Sequence, residues 1–221
     1  TWKPAGELTK CDFIAVPRLK DESNELNLTD EDCLLIGRYI ADGHTRKDYR
    51  VSEGRPNDRK WQMILSVGSH KIPEFSTKHS LHKHTKSVHR MTFSSKRLVE
   101  IVERECLCGA KNKRISPTLL KLPKDKLERL LQGIIEGDGH IIGNEVSVST
   151  ISLELAQSLC LAITKVYGVG ASIYLFKKPP TCVIEERTVN QSDSYRVSFR
   201  KDVQKQTKYH VCEDYVWFPC L

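Results

Sequence analysis

Asp42 and Asp138 occupy the same place in two copies of one ten-residue pattern. The copies, Leu35-Ile-Gly-Arg-Tyr-Ile-Ala-Asp-Gly-His44 and Leu131-Gln-Gly-Ile-Ile-Glu-Gly-Asp-Gly-His140, align without a gap 96 residues apart. Each copy reads as the end of an amphipathic helix. There the macrodipole and the free carbonyls disfavour a carboxylate by a few tenths to about 1 kcal/mol. One such aspartate is an ordinary Asp-Gly turn after a helix. An aligned pair points to a bound cation, since carboxylate and helix-end carbonyl oxygens make a hard, oxygen-only shell suited to Mg²⁺. Gly37 and Ala41 in one helix, and Gly133 and Gly137 in the other, stand four apart. Such small faces let two helices pack closely and bring the two carboxylates together. Paired acids around metal ions, facing a polyanion, suit metal-assisted phosphodiester hydrolysis.

The elements that must position these acids are duplicated as well. Thr29-Asp-Glu-Asp32 starts the first helix, and Asp125-Lys-Leu-Glu128, just after Pro123, starts the second. Strand-like stretches follow each motif: Tyr49–Ser52, Trp61–Val67 and Val88–Phe93 in the first half, and Glu145–Thr150, Ala171–Phe176 and Tyr195–Phe199 in the second. The spacing predicts helices over Leu153–Tyr167, stopped by Gly-Val-Gly, and over Lys96–Leu107 before Gly109. The Lys-rich stretch Ala110–Lys124, with Pro117 and Pro123, reads as the linker between halves.

The 221 residues, 39% of them hydrophobic, are enough for one large domain or two small ones with an ordinary core. The net charge of +7 is unevenly placed: residues 41–90 hold eleven Lys/Arg against five Asp/Glu and six of the eight histidines. That imbalance suits a polyanionic partner such as nucleic acid. No uninterrupted apolar run reaches membrane-spanning length and the N-terminus lacks signal-peptide order, so the expectation is an intracellular protein, cytoplasmic or in the nucleoid or nucleus, with no membrane contact. The eight cysteines form no CxxC pair and read as free thiols. Cys106 and Cys108 with the nearby histidines fit no common zinc spacing.

Both decapeptides resemble the LAGLIDADG motif of a large homing endonuclease family, and the two-copy form is similar to its monomeric members. The resemblance spans nearly the whole chain. It implies an α+β fold of two pseudo-symmetric αββαββα halves forming a DNA-binding saddle, with the motif helices at the central interface. It also implies a monomer that cuts double-stranded DNA at a long asymmetric site, using Mg²⁺ or Mn²⁺. Carried over by position, the metal-binding acids are Asp42 and Asp138, with the carbonyls of Ala41 and Gly137 as further ligands. The chain departs from the motif at Arg38 and Ile40. A lysine near each active centre is a second family feature. Gly109-Ala-Lys-Asn-Lys-Arg-Ile-Ser116 resembles the stretch that carries it, giving Lys113, where a cation would stabilise transition-state charge. In the second half Lys201, Lys205 and Lys208 are available, and Lys208 is favoured.

The resemblance also places DNA contacts on the outward faces of two curved sheets. The expected residues are Arg46, Lys47, Arg50, Arg55, Arg59, Lys60, Lys83, Lys86 and Arg90 in the first half. In the second they are Asn144, Ser147, Ser149, Lys177, Lys178, Arg187, Arg196 and Arg200. Residues Trp2–Arg18 and Val211–Trp217 look like the edges of an intein splicing (Hint) domain, which would be a partner in cis. The expected division is therefore 1–24 and 209–221 for that domain, with halves at 25–118 and 119–208. Thr1 and the absent terminal His-Asn pair imply that this chain does not splice by itself. The competing functional class is a maturase-like or regulatory nucleic-acid-binding protein on the same scaffold without cleavage, and an inactive intein insertion is a third reading.

Overall fold

Thr29 starts the first motif helix by reciprocal capping. Its Oγ1 accepts from the Asp32 amide at 3.1 Å, while the Asp32 carboxylate accepts from the Thr29 amide at 3.0 Å, satisfying amides that lack partners within the helix. The computed structural model describes residues 3–48, 60–69, 72–184, 187–201 and 210–219. Its first half runs β1 (Phe13–Pro17), α1 (Asp30–Asp42), β2 (Gly43–Asp48), β3 (Lys60–Gly68), β4 (Ser80–Lys83), β5 (Val88–Ser94), α2 (Lys96–Glu105) and α3 (Pro117–Leu120). The second runs α4 (Lys124–Asp138), β6 (Gly139–Ile142), β7 (Glu145–Thr150), α5 (Leu153–Tyr167), β8 (Ser172–Phe176), β9 (Thr181–Ile184), β10 (Arg187–Asn190), β11 (Ser194–Arg200), β12 (His210–Val211) and β13 (Tyr215–Pro219).

Each half builds a four-stranded antiparallel sheet with the same winding. The first sheet has the order β2-β3-β5-β4 and the second β6-β7-β11-β8. In both, the first strand leaves the motif helix directly after the aspartate. Met63, Leu65, Met91 and Phe93 from one sheet, and Val146, Val148, Val197 and Phe199 from the other, pack inward against the helices in one continuous core. The halves differ in helix placement. In the second, α5 stands between the strand pairs; in the first, no described helix lies between β3 and β4, and α2 follows the fourth strand instead. β1, β13 and β12 form a separate sheet, with Phe13–Pro17 aligned antiparallel to Tyr215–Pro219.

Several sequence expectations shift. α4 has Pro123 at its N-cap and no side-chain cap; Asp125 lies within the first turn, where its charge favours the dipole. α2 stops at Glu105, before Leu107 takes a left-handed φ of 61°. The segment read as a linker is packed structure: Ser116 caps α3 with Pro117 at its first position, and Lys113, Ile115, Leu119 and Leu122 are buried. Tyr49–Ser52 lies outside the described residues. α5 matches its expected span and ends on Gly168 in the left-handed region, φ 66°. No described helix is long and apolar enough to cross a membrane.

Candidate active site and nucleic-acid interface

The glycines of the two motifs decide how closely α1 and α4 approach. A Cβ on Gly37 would lie 2.1 Å from the Leu130 carbonyl oxygen, and one on Gly133 would lie 2.3 Å from that of Leu34. The helices therefore touch backbone to backbone, as no larger residue permits. One turn on, a Cβ on Gly137 would fall 2.4 Å from the Ala41 methyl and 3.2 Å from Asp42 Oδ2. The missing side chain leaves the notch in which the Asp42 carboxylate sits. Asp42 and Asp138 end their helices on the wall of one cleft of about 680 Å³, shared with Ala41, His44, Lys113, Ser149, Lys178 and Arg196.

Lys113 reaches this cleft from the turn after α2. The Arg114 amide closes that turn on the Cys106 carbonyl at 3.1 Å, and Ser152, the N-cap of α5, donates its hydroxyl to the Lys113 carbonyl at 2.7 Å. Lys113 Nζ donates to the carbonyls of Tyr39 and Gly43, the latter at 2.8 Å, and lies 4.4 Å from the centre of the Tyr39 ring. An ammonium thus sits at the negative end of the α1 dipole, as a second donor to the Tyr39 carbonyl, which also accepts from the Gly43 amide. Burial pushes its pKa down to about 8, against the opposing pull of Cys106, Asp138 and Asp42. His44 is also held below its usual value, by partial burial and then by Arg90 and Lys113.

The donor set fits a hard divalent cation. Two carboxylates and the helix-end carbonyls of Ala41 and Gly137 are oxygen ligands of the kind Mg²⁺ and Mn²⁺ prefer. The described residues hold no cluster of three or more His, Cys, Asp or Glu suited to a metal. A cation here would complete its shell with carbonyls, water or a phosphate oxygen.

No family model matches the sequence. Among curated proteins, the chain is 31% identical over 166 residues to ATP-dependent DNA helicase Hel308 of Thermococcus kodakarensis, covering 72% of this chain and 15% of that one. It is 26% identical over 174 residues to the replication factor C small subunit of Methanocaldococcus jannaschii, covering 78% of this chain and 9% of that one. The chain spans only a small part of the curated relatives it matches. Among solved structures, the homing endonuclease I-DmoI in complex with DNA and Ca superposes with a TM-score of 0.54 at 12% identity, covering 76% of this chain and 82% of that one. A complex of I-DmoI with DNA and Mn gives 0.53 at 13% identity, with coverage of 76% and 88%. The chain has the LAGLIDADG fold.

In this LAGLIDADG fold each sheet has one face under helices and one open face, and strand register assigns every residue to one or the other. The open face of the first sheet carries His44 and Arg46 on β2, Gln62 and Ser66 on β3, Arg90 and Thr92 on β5, and His82 on β4. That of the second carries His140, Ser147, Ser149, Arg196, Ser198 and Tyr174. Arg46, Arg90, Ser147, Ser149 and Arg196 are therefore where DNA contacts were expected. The Arg196 guanidinium lies 4.6 Å from the centre of the Phe176 ring. Arg200 shares that face and pairs with Glu145 at 3.5 Å.

Lys47 is on the opposite face, where it pairs with Glu103 of α2 and covers the Trp61 ring. It joins sheet to helix rather than presenting a charge outward. Lys83 also has helix-side register, at the exposed end of β4. Lys86, Asn144, Lys177 and Lys178 sit in exposed turns beside the strands. Arg50, Arg55, Arg59 and Lys208 lie outside the described residues, as do the side chains of Lys60 and Arg187. Lys201 is directed elsewhere, 5.2 Å from the centre of the Tyr167 ring.

The twin histidines were not singled out in advance, and Arg38 was noted only as a departure from the motif. His44 and His140 extend the twin pattern onto the open faces, a signal already present in the repeated Asp-Gly-His. Arg38 is 2% exposed between the motif helices; its Nε has no hydrogen-bond partner among the described residues, and its terminal nitrogen would lie 3.7 Å from a Cβ on Gly137.

Proposed function

We propose that this chain is a divalent-metal-dependent endonuclease that cuts double-stranded DNA at a long asymmetric site. One observation carries this reading: glycine-bearing helices in backbone contact deliver Asp42 and Asp138 to one cleft, with Lys113 beside them, between two open sheet faces. Asp42, Asp138 and the carbonyls of Ala41 and Gly137 would hold Mg²⁺ or Mn²⁺. When bound, the metal supplies Lewis-acid stabilisation of the phosphoryl and leaving oxygens. Lys113, itself buried, presents a fixed ammonium to charge developing on the phosphate. Arg46, Arg90 and Arg196 hold or read the duplex from the open faces. The likeness in fold to I-DmoI, solved with DNA and with Ca or Mn, supports this reading.

The test is cleavage of a randomised or host-derived duplex library in Mg²⁺, beside Asp42→Asn, Asp138→Asn and an EDTA control. Site-specific double-strand cutting lost in all three controls is the expected result. Tight specific binding without cutting by the wild-type chain would move the reading to a binding protein.

The chain is further proposed to be the nuclease insert of an intein, with residues 1–24 and 209–221 in a splicing domain and the halves at 25–118 and 119–208. Two observations support it. β1 and β13, which flank the twin-motif body, pair over five residues in a sheet of their own. The chain also matches a minor segment of two differently named proteins, as an element inserted into unrelated hosts does. Expression of a longer host reading frame that carries this chain tests it: a ligated host product lacking the segment is expected, and a single unprocessed polypeptide would contradict the idea.

A further inference from the structure

We infer that His44 and His140 are a second twin pair, each donating a ring N–H to the scissile phosphate of one DNA strand; this rests on the endonuclease reading above. Three observations converge on it. Both histidines follow the motif aspartate by two residues, on the first strand of sheets wound in the same order. Register places His44 beside Ile64 and His140 beside Ser147, on the open face in each half. Both are exposed. His44 also lines the cleft that holds Asp42, Asp138 and Lys113, with Arg90 and Lys113 within electrostatic range of it, so a phosphate held between the carboxylate-bound cation and these side chains lies within its reach.

An exposed strand histidine is ordinarily a solvated surface residue. Here the same residue recurs at the same step of two half-folds whose neighbouring open-face positions differ, Arg46 against Ile142, Gln62 against Glu145 and Ile64 against Ser147, while one step further Ser66 with Arg90 recurs as Ser149 with Arg196. Among the described residues neither imidazole has a hydrogen-bond partner, so both keep their donors for a ligand. The pseudo-twofold arrangement of the motif helices then gives each strand of a duplex its own histidine beside its own aspartate.

The experiment follows the two strands separately. A cleavable duplex carrying a different label on each strand is cut in Mg²⁺ by the wild-type chain, His44→Ala, His140→Ala and the corresponding glutamine variants, with affinity measured by anisotropy without metal. Each alanine variant is expected to bind within about threefold of wild type. Each should slow one strand about 100-fold, as loss of a transition-state donor does, with nicks accumulating in opposite strands for the two variants. Glutamine keeps an N–H donor and should restore at least tenfold; it also carries the test if an alanine variant melts early. Equal slowing of both strands, slowing of the same strand by both variants, or unchanged rates overturns the assignment. A wild-type chain that binds the duplex and cuts neither strand overturns the endonuclease reading, and this proposal with it.

Discussion

Lys113 is where the site's electrostatics concentrate. Its ammonium sits on the carbonyls of Tyr39 and Gly43, where α1 passes into β2, beside two carboxylates, and burial lowers its pKa to about 8. Lys113→Met is expected to slow cutting by about 10²–10³-fold with little change in DNA affinity, measured in single turnover. Two pH effects of opposite sign follow. Activity needs the charged form, so kcat/KM should fall above about pH 8. The cost of burying the charge is fully present below the folded pKa. It is relieved as pH rises from about 8 towards the unfolded value of 10.5, so this group makes the fold more stable across that window. Lys113→Met should lose both trends; an unchanged alkaline limb would assign it to another group. The sequence pointed to Lys113 only through resemblance, because a lysine in a Lys-rich stretch looks solvated until the turn after α2 folds it inward.

The motif helices depend on glycine more than on any apolar side chain. Adding a methyl at Gly133 sets it 2.3 Å from a backbone oxygen that cannot rotate away, so the helices must separate. Gly133→Ala should cost about 3 kcal/mol in denaturant unfolding and weaken metal-dependent cutting further, since separation also moves Asp42 from Asp138. A native-like midpoint would mean the interface is looser than described. Thr29→Ala should cost about 1 kcal/mol through loss of the capping box, and more if Asp32 then also loosens its pairing with Arg97 at 3.1 Å. Both helices were legible from period and small-residue spacing. The start of α4 was not, since Pro123 rather than an acidic side chain begins it.

The two open faces set the form of DNA recognition. One presents Arg46 and Gln62 where the other has Ile142 and Glu145, although Ser66 with Arg90 recurs as Ser149 with Arg196, and faces that differ at these positions cannot read a palindrome with equal contacts. A footprint with different boundaries on the two half-sites is expected; a symmetric one would contradict it. Affinity should fall steeply with salt, with log K against log salt sloping by about −0.9 per phosphate neutralised. Among single arginine substitutions, a phosphate contact reduces that slope by about one without changing site preference. A base contact relaxes preference at one position and costs about 1–3 kcal/mol there.

The sequence by itself determined the twin helices, their carboxylates and their close approach, because helical period and a four-residue glycine spacing are local and direct packing at short range. It also marked five of the eight strands in the two four-stranded sheets, whose alternation reports which side is buried, but not β2 and β6, which follow the motifs directly. Tertiary structure decided which charges face outward. Lys47 and Arg46 are neighbours of the same class, yet strand register sends one to Glu103 and the other to the open face. It likewise turned the supposed linker into packed core and placed Lys113 on the α1 carbonyls. Those outcomes rest on partners far away in the chain, which no local pattern encodes.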